Sequence, residues 1–523
     1  MAALPCLLVF DIGTTGAKAV LVRSDGELLL SITRSYRTFY PRPGRAEQRA
    51  QDWWQAVVEA AQLVLGQRPQ DRRRIAAVGL SGQMMGCLPV AADGTPLRPS
   101  LIHSDLRSES ECRRIARKMK PAAVYRITGN RLDPRYTLSK MAWVQRTEPS
   151  VYDETALFVQ AKDFVGFKLT GELGVTDYSD ASLTGAFDLA GFRWSDDLLA
   201  AAGVPRTKLP DVQPSASVRG SVTGEAAAAT GLPSGLPVIV GGGDGACATL
   251  GAGVVRRGQA YNYIGGTSWV SAVSREPVID PEMRLFNLCD LAPRKYNVLG
   301  TVQCAGSSYE WFADHIGQLE TRQAAETGAD RFELLNALAA QAPPGCNGLV
   351  FLPHLMGERA TIWDPNARGL YFGLTLRHTR ADLARAVLEG VAYTLKSIIE
   401  AMAECGVPAR AVRLIGGGAE SDLWQRILAD VYGRRLAVVR NPEEATCIGA
   451  ALAAGVAVGI YENWPAAARV VRVHRELRPD PALSARYGAF HQFYRSLYPR
   501  LKRSFAELAK LTSGGPLPHG DES

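Results

Sequence analysis

Two turns rich in glycine and hydroxyl residues, one in each half of the chain, have the composition of phosphate-binding loops. Asp11-Ile-Gly-Thr-Thr-Gly16 and Gly265-Gly-Thr-Ser268 each follow a short apolar run. Glycines let the backbone approach an anion so that N–H groups face phosphate oxygens, and the hydroxyls add donors. Asp11 could hold a water of Mg²⁺, an ion that usually keeps several waters. An ordinary hairpin turn explains the first motif equally well alone, but the pair favours one phosphate chain bound from two domains.

A third glycine run stands between a strand and a helix near the C-terminal end. Gly416-Gly-Gly-Ala-Glu-Ser421 precedes the helix that begins at Asp422-Leu-Trp424. Backbone without side chains could lie against a nucleotide base, and a helix N-terminus favours anions. The run is not a Walker A loop, because no Gly-Lys-Ser/Thr follows, and it lacks the last glycine of a dinucleotide fingerprint. A plain strand turn is the alternative.

A carboxylate framed by glycines, Gly243-Asp244-Gly245, follows another apolar run. Asp244 could accept the proton of a substrate hydroxyl while that hydroxyl attacks phosphorus. Taken locally, an aspartate that caps the following helix is the more common explanation. The motif becomes a candidate general base only in combination with the phosphate loops.

The elements around these motifs predict an α/β chain. Apolar runs separated by a glycine turn and an Asp25-Gly26 turn predict a β-meander over 7–32, and 75–80 reads as a further strand. Helical spacing predicts helices over 51–65, 381–405 and 443–458, the last rich in alanine and glycine. Strands that run into glycine turns recur in both halves at 236–240, 261–264 and 412–415. This recurrence favours two α/β domains of similar construction.

Composition excludes several classes of protein. The 523 residues are 46% hydrophobic, which is enough for globular cores, and the net charge of +7 is spread rather than banded, which disfavours nucleic-acid binding. The nine cysteines form no C-x-x-C pair, so we expect reduced thiols and a cytoplasmic location rather than disulfides or a zinc module. No apolar run reaches the ~18 residues of a membrane span.

Taken in order, the motifs resemble those of the FGGY carbohydrate kinases over about residues 6 to 500. The second signature of that family is similar to Asn366-Ala-Arg-Gly-Leu-Tyr-Phe-Gly-Leu-Thr375, which leads into the 381–405 helix. Within the family the xylulokinases are most similar. The matching segments are Phe10–Lys18, Ser81–Met84, Gly241–Asp244, Gly266–Ser268, Gly416–Gly418, Gln48-x-x-x-Asp52-Trp53-Trp54 and Gly357-Glu358-Arg359.

The resemblance implies two ribonuclease-H-like domains of the actin/hexokinase/Hsp70 type that flank a central cleft and close on ATP–Mg²⁺ and a sugar. The N-terminal domain, expected over 1–255, would carry the sugar and phosphate side. The C-terminal domain, expected over 256–512, would carry the nucleotide side. Residues 513–523 lack apolar periodicity and read as a disordered tail.

The resemblance also implies a role for individual residues. Asp244 matches the catalytic base and also faces the sugar, and Asp11 matches the carboxylate that orients Mg²⁺ through water. The residues that match ATP and phosphate contacts are Gly13, Thr14, Thr15, Lys18, Gly266, Thr267, Ser268, Gly306, Glu310, Gly417, Gly418 and Ser421. Those that match substrate contacts are Met84, Met85, His103 and Asp105.

Three departures from the xylulokinase pattern lie on the sugar side. Met85 stands where xylulokinases have histidine, Gly245 where they have asparagine, and His103-Ser104 where they have Trp-Asn. We therefore expect an ATP-dependent kinase that phosphorylates a primary hydroxyl of a small sugar or polyol, with D-xylulose as the first candidate. Ribulose, erythritol and glycerol are alternative substrates, and a non-catalytic nucleotide-binding sugar sensor is the alternative of another class. The sequence allows a homodimer but does not predict the oligomeric state.

Overall fold

The computed structural model describes residues 4–512, so the predicted tail at 513–523 lies outside the described residues. The strands are β1 (Cys6–Ile12), β2 (Gly16–Arg23), β3 (Leu28–Ser35), β4 (Glu47–Gln48), β5 (Ile75–Gly82), β6 (Leu88–Val90), β7 (Ser100–Leu101), β8 (Leu157–Val159), β9 (Val175–Asp177), β10 (Phe187–Asp188), β11 (Arg193–Trp194), β12 (Asp211–Gln213), β13 (Val218–Ser221), β14 (Pro237–Ile239), β15 (Gly242–Gly243), β16 (Gly258–Ile264), β17 (Ser268–Ser274), β18 (Phe286–Cys289), β19 (Tyr296–Val302), β20 (Val350–Leu352), β21 (Leu370–Phe372), β22 (Ala409–Ile415), β23 (Arg435–Val439) and β24 (Val473–Leu477).

Helices alternate with these strands, which confirms the predicted α/β class. They are α1 (Ala50–Gln67), α2 (Glu109–Lys118), α3 (Pro121–Thr128), α4 (Thr137–Thr147), α5 (Pro149–Glu154), α6 (Ala161–Thr170), α7 (Tyr178–Ser182), α8 (Asp196–Ala202), α9 (Gly224–Thr230), α10 (Asp244–Gly251), α11 (Gly306–His315), α12 (Gln318–Thr327), α13 (Arg331–Ala339), α14 (Arg380–Glu404), α15 (Asp422–Tyr432), α16 (Ala445–Ala457), α17 (Trp464–Ala468) and α18 (Pro481–Thr512). Among residues 4–512, no helix combines the length and the apolar character needed to cross a membrane.

The described residues divide into two units. Unit 1 comprises 4–257, 272–298 and 439–472, and unit 2 comprises 258–271, 299–438 and 473–512. In unit 1 the sheet order is β13-β14-β5-β1-β2-β3, with β15 paired to β5. The predicted meander is confirmed, because β1, β2 and β3 pair antiparallel in succession. On the other side, β1 pairs in parallel with β5.

The core of unit 1 forms where α1 covers the sheet. Leu8 and Phe10 of β1 share one buried cluster with Trp53 and Val57 of α1. Each fully buried side chain of this size contributes about 1.5–3 kcal/mol of transfer free energy. The predicted helix over 51–65 is confirmed, with bounds of Ala50–Gln67.

Helix α16 comes from the C-terminal part of the chain but belongs to unit 1, where it packs against α10. A Cβ on Gly251 would lie 1.7 Å from the carbonyl oxygen of Ala445, and a Cβ on Gly449 would lie 1.8 Å from that of Cys247. The glycines therefore let the two helix backbones touch. This close packing fixes α10, whose first residue is Asp244.

In unit 2 the strands follow the order β19-β17-β16-β22-β23-β24. The pairs β16–β22 and β22–β23 are parallel, so the turns that follow β16 and β22 leave the same edge of the sheet. The predicted long helix is confirmed as α14 (Arg380–Glu404), which begins with a capping box between Thr379 and Asp382. The apolar residues that recur along it every three or four positions are buried: Val387, Val391, Leu395, Ile398 and Met402.

Candidate active site

Three neighbouring parallel strands of unit 1 bring the predicted catalytic groups to one sheet edge. Asp11 near the end of β1 pairs with Ser81 of β5. Gly242 of β15 pairs with the same Ser81, and Asp244 follows directly. Because the strands are parallel, their carboxyl ends meet, which is where α/β proteins bind ligands. The two carboxylates that the sequence analysis singled out therefore lie on the same edge.

Asp244 is the first residue of α10 rather than its cap. The capping position is Gly243, which has extended backbone and no side chain. The Oδ1 atom of Asp244 accepts the Gly245 N–H at 2.7 Å. Burial raises the pKa of Asp244 to about 7, and the negative charge of Asp11 adds to the rise while the Gly245 N–H opposes it. A carboxylate with this pKa is suited to accept a proton near neutral pH.

The first phosphate turn is held by side chains that bind its carbonyl oxygens. The Gly13 carbonyl accepts the Tyr36 hydroxyl and the Nε2 of Gln83 at 3.3 Å. The Thr14 carbonyl accepts the Nε2 of Gln48 at 2.6 Å. The Nε2 of Gln83 also donates a hydrogen bond to the Oε1 of Gln48 at 2.7 Å. The carbonyl oxygens of the turn therefore accept hydrogen bonds from the protein itself. The N–H and hydroxyl donors of the turn are left to bind an anion.

The donors of this turn are the amides and hydroxyls of Thr14 and Thr15. Within residues 4–512, neither amide N–H has an acceptor, whereas the Gly13 N–H donates to the Gly16 carbonyl at 3.0 Å. Thr15 is exposed and Thr14 half-buried, so both can reach a ligand. A pair of free amides with flanking hydroxyls is the arrangement expected of an anion-binding turn.

Asp11 and Lys18 lie opposite each other on β1 and β2. Burial raises the pKa of Asp11, while Ser81 and the Lys18 ammonium oppose the rise. The Oδ1 atom of Asp11 is buried and has no hydrogen-bond partner in the described structure. Among residues 4–512, Lys18 makes a single ion pair, with Glu444 at 3.9 Å, so its ammonium is available to a phosphate group.

The predicted substrate residues occupy two segments of unit 1. Met84 is buried against Gly243, where a Cβ would lie 2.5 Å from its sulfur, so a larger residue before Asp244 would displace the Met84 side chain. Met85 has a left-handed backbone with φ 64°, which non-glycine residues rarely adopt. His103 is half-buried. The first segment thus lies against the glycines that flank Asp244.

Asp105 is fully buried, and its carboxylate is already occupied. One oxygen accepts the Ala46 N–H at 2.7 Å, and the Arg107 guanidinium binds both oxygens at 2.8–3.0 Å. These contacts hold the backbone of the segment that carries His103. A direct contact between Asp105 and the sugar stays a prediction.

The second phosphate turn, in unit 2, is held by a helix N-terminus. The Gly266 carbonyl accepts the N–H groups of Ala305 and Ser307 at 2.8 and 3.1 Å. The Gly265 carbonyl accepts the Gly306 N–H at 2.9 Å, and a Cβ on Gly306 would lie 2.5 Å from that oxygen. As in the first turn, the carbonyl oxygens point into the protein.

The two hydroxyls of the second turn differ. Thr267 is exposed. Ser268 is fully buried, where its hydroxyl donates to the Tyr263 carbonyl and accepts the Asn262 side-chain amide at 2.9 Å. Thr267 is therefore the hydroxyl that can reach a ligand, whereas Ser268 fixes the turn from inside.

The glycine run after β22 lies beside the second phosphate turn. Gly416 has φ 84°, and a Cβ there would lie 2.6 Å from the Ile264 carbonyl oxygen. Gly418 packs on the Ile264 side chain, while Gly417 is exposed. Ser421 caps α15 by accepting the Trp424 N–H at 3.2 Å. Glu310 is exposed on α11, the helix that binds the phosphate turn.

Comparison with known families agrees with this arrangement. The profile of the FGGY family of carbohydrate kinases matches residues 6–251 with its N-terminal domain and residues 260–458 with its C-terminal domain. The chain belongs to the FGGY family of carbohydrate kinases. The predicted resemblance is therefore confirmed, and the chain is an ATP-dependent carbohydrate kinase, similar to xylulokinases.

Individual relatives of this FGGY kinase cover nearly the whole chain. It is 32% identical to the xylulose kinase of Escherichia coli K12 over 94% of this chain and 98% of the relative. It is 28% identical to the gluconokinase of Bacillus subtilis over 97% and 98%. The crystal structure of xylulose kinase from Rhodospirillum rubrum matches with a TM-score of 0.87 at 32% identity, over 96% of this chain and all of that one. The two-domain FGGY kinase fold is thereby confirmed, while the division at residues 255/256 stays a prediction.

The backbone next to Asp244, the predicted base, rests on a buried polar network that sequence analysis missed. The Gly243 N–H donates to the Ser179 hydroxyl at 2.9 Å, and that hydroxyl donates to Asp177 at 2.5 Å. Lys162, with no exposed surface, pairs with Asp177 at 3.1 Å and also contacts Asp163 and Asp180. The run Thr176-Asp-Tyr-Ser-Asp180, unusually polar for a buried segment, is the signal that could have shown it.

Two quoted motifs of the FGGY kinase acquire roles only in the structure. Gln48, from the motif that precedes Trp53, holds the first phosphate turn. Glu358, from Gly357-Glu358-Arg359, accepts the Gln303 N–H at 3.0 Å, three residues before Gly306. Both side chains bind backbone groups in or near the predicted phosphate and nucleotide segments. Most predicted site residues thus lie just after strands or at helix N-termini, whereas the polar side chains of Asp105, Ser268 and Ser421 bind groups inside the protein.

Proposed function

We propose that this FGGY kinase transfers the γ-phosphoryl group of ATP to the terminal primary hydroxyl of D-xylulose, which yields D-xylulose 5-phosphate and ADP. The single observation that carries the chemistry is Asp244, a half-buried carboxylate that directly follows β15 beside Asp11 and whose pKa burial raises to about 7. The choice of substrate is supported by the 32% identity to the xylulose kinase of Escherichia coli along nearly the full length of both chains.

In the proposed reaction, Asp244 accepts the proton of the sugar hydroxyl as its oxygen forms a bond to the γ-phosphorus. The bond from that phosphorus to the β,γ-bridging oxygen breaks, and ADP leaves. Removal of such a base typically costs about 10²–10⁴ in rate. The free amides and hydroxyls of Thr14 and Thr15, with the Lys18 ammonium, bind and orient phosphate oxygens.

We propose Mg²⁺ as the metal that accompanies ATP. Asp11 fits this ion, because its buried Oδ1 has no protein partner in the described structure and can accept a hydrogen bond from a metal-bound water. Residues 4–512 contain no cluster of three or more metal-ligating side chains. A single carboxylate suits Mg²⁺, which often binds through one or two carboxylates and substrate phosphates. The bound ion supplies neutralisation of phosphate charge.

A panel of sugars tests the substrate. We expect D-xylulose to give the highest kcat/KM among D-xylulose, D-ribulose, L-ribulose, L-xylulose, gluconate, erythritol and glycerol, measured by ADP release. Gluconate is included because of the gluconokinase relative. Other sugars are tested because Met85, His103 and Gly245 depart from the xylulokinase pattern. A different leading substrate would overturn the assignment of D-xylulose but not the assignment of kinase activity. ATP binding without turnover of any member would indicate a sugar sensor. The cytoplasmic location and the homodimer stay predictions.

A further inference from the structure

A buried lysine that no motif singled out joins the two segments assigned to the sugar. Lys140 lies in α4 and has no exposed surface. Its Nζ donates to the carbonyl oxygens of Arg135 at 2.6 Å, Ile102 at 2.7 Å and Met85 at 2.9 Å. An ammonium group has three N–H donors, so these three carbonyls satisfy it completely.

The charge of Lys140 is bound by carbonyl dipoles. Burial lowers the pKa of Lys140 to about 8, while Cys87, Asp105 and Asp133 oppose the fall. The amine therefore keeps its third N–H at neutral pH, and each hydrogen bond is charge-assisted and stronger than a neutral one. A neutral amine or an apolar side chain could not bind all three carbonyls at once.

Two of these three carbonyls belong to the substrate segments. One carbonyl belongs to Met85, the residue with the left-handed backbone, and the other belongs to Ile102, which immediately precedes His103. The same segments also pair through Cys87 and Leu101, whose backbone hydrogen bonds are 2.9 and 3.1 Å long. Lys140 therefore joins the two segments a second time, through the Met85 and Ile102 carbonyls. This second connection lies next to Met85 and His103, which depart from the xylulokinase pattern.

We propose that Lys140 is a positioning residue that sets sugar specificity by fixing the backbone at Met85 and at His103. The inference rests on the proposed assignment of these two segments to the sugar. Without the ammonium, the Met85 carbonyl loses its hydrogen-bond donor, and Met85 is free to leave the left-handed region that L-residues rarely occupy. The phosphate turn is held separately by Tyr36, Gln48 and Gln83, so ATP binding is spared.

The test compares Lys140→Met, which keeps the volume and removes the donors, with wild type. We expect the KM of D-xylulose to rise at least about tenfold, because small displacements of a binding group are costly. We expect the ratio of kcat/KM for D-xylulose to that for D-ribulose to fall at least about threefold, since discrimination depends on placed hydrogen bonds. The KM of ATP should stay within about twofold.

Val64→Ala is the matched control, because Val64 is buried in α1 of the same unit and its truncation lowers stability without altering either segment. If Lys140→Met does not fold, Lys140→Gln, which retains two N–H donors, replaces it in the same comparison. A folded Lys140 variant with wild-type sugar KM and wild-type discrimination overturns the proposal. So does failure of both variants to fold where Val64→Ala folds, because Lys140 would then be required for folding itself.

The two proposals fail in different ways. If D-xylulose is the wrong substrate, the wild-type protein itself shows it, and the Lys140 comparison proceeds with the panel member that wild type uses best. If Lys140 has no positioning role, wild type turns over D-xylulose and the variants match it in KM and in discrimination.

Discussion

Replacement of Asp244 by asparagine should stabilise the protein, and the gain should grow with pH. Burial and Asp11 raise the pKa of Asp244 from 3.8 to about 7 in the folded state. The folded protein therefore binds this proton more tightly than the unfolded chain. The contribution of Asp244 to the free energy of unfolding is complete below pH 3.8 and is lost as the pH rises through 7. Asparagine does not titrate, so the free energy of unfolding of Asp244→Asn does not decrease over this pH range for this reason.

The magnitude follows from the shift. About three pKa units at about 1.4 kcal/mol each give a loss of about 4 kcal/mol at pH 8, of which about 2–3 kcal/mol falls between pH 5 and pH 8. For a unit of this size, about 2 °C per kcal/mol applies, so the gain in Tm of Asp244→Asn should be about 5 °C larger at pH 8 than at pH 5.

The assay is thermal unfolding of both proteins between pH 5 and pH 8, in EDTA and without nucleotide, so that no ligand shifts Tm. Asp93→Asn is the control, since Asp93 is an exposed carboxylate whose pKa is lowered by hydrogen bonds from Thr95. Asp93 is therefore ionised in the folded and unfolded states throughout pH 5–8, and the Tm difference between Asp93→Asn and wild type should stay constant over that range. A Tm difference between Asp244→Asn and wild type that is constant from pH 5 to pH 8 would refute a raised pKa at Asp244.

Two further variants test the supports of the site. Ser179→Ala removes the acceptor of the Gly243 N–H and should lower kcat about 3- to 10-fold, with the Kd of ATP unchanged by calorimetry; unchanged kcat would exclude a role of this bond in holding Asp244. Gly306→Ala places a Cβ 2.5 Å from the Gly265 carbonyl and should raise the KM of ATP at least about tenfold, while sugar binding measured by fluorescence stays the same; an unaltered ATP KM would contradict the assigned second phosphate turn.

The parts of the fold that follow from local pattern could be predicted from the sequence. The meander formed by β1, β2 and β3 is encoded by short apolar runs with glycine turns, and α14 by an apolar face with a period near 3.6. Strand ends that carry glycines and a carboxylate singled out Asp11 and Asp244, which the structure places at the same sheet edge. These signals need only a few consecutive residues.

The parts that depend on distant packing could not be predicted. Helix α16 joins unit 1 because Gly251 and Gly449 allow two backbones from remote parts of the chain to touch. Ser268 reads as a phosphate donor in sequence, yet its hydroxyl is taken by Tyr263 and Asn262. A sequence motif gives the residue type at a site, whereas the direction of the side chain follows from tertiary neighbours.

The same limit explains the supports that were missed. Tyr36, Ser179 and Lys140 act on backbone carbonyl or amide groups of segments far away in sequence. Nothing in their local context distinguishes them from ordinary core residues. Only the distances between their polar atoms and the site backbone show what they do.

The most direct test of the account is the turnover of Asp244→Asn with ATP, Mg²⁺ and D-xylulose, measured together with its affinity for ATP. The account predicts that kcat falls about 10²–10⁴-fold, because the sugar hydroxyl loses its proton acceptor, while the Kd of ATP stays within about twofold. Turnover within tenfold of wild type would contradict the assignment of Asp244 as the base. An equal loss of ATP affinity would instead make Asp244 part of the nucleotide site.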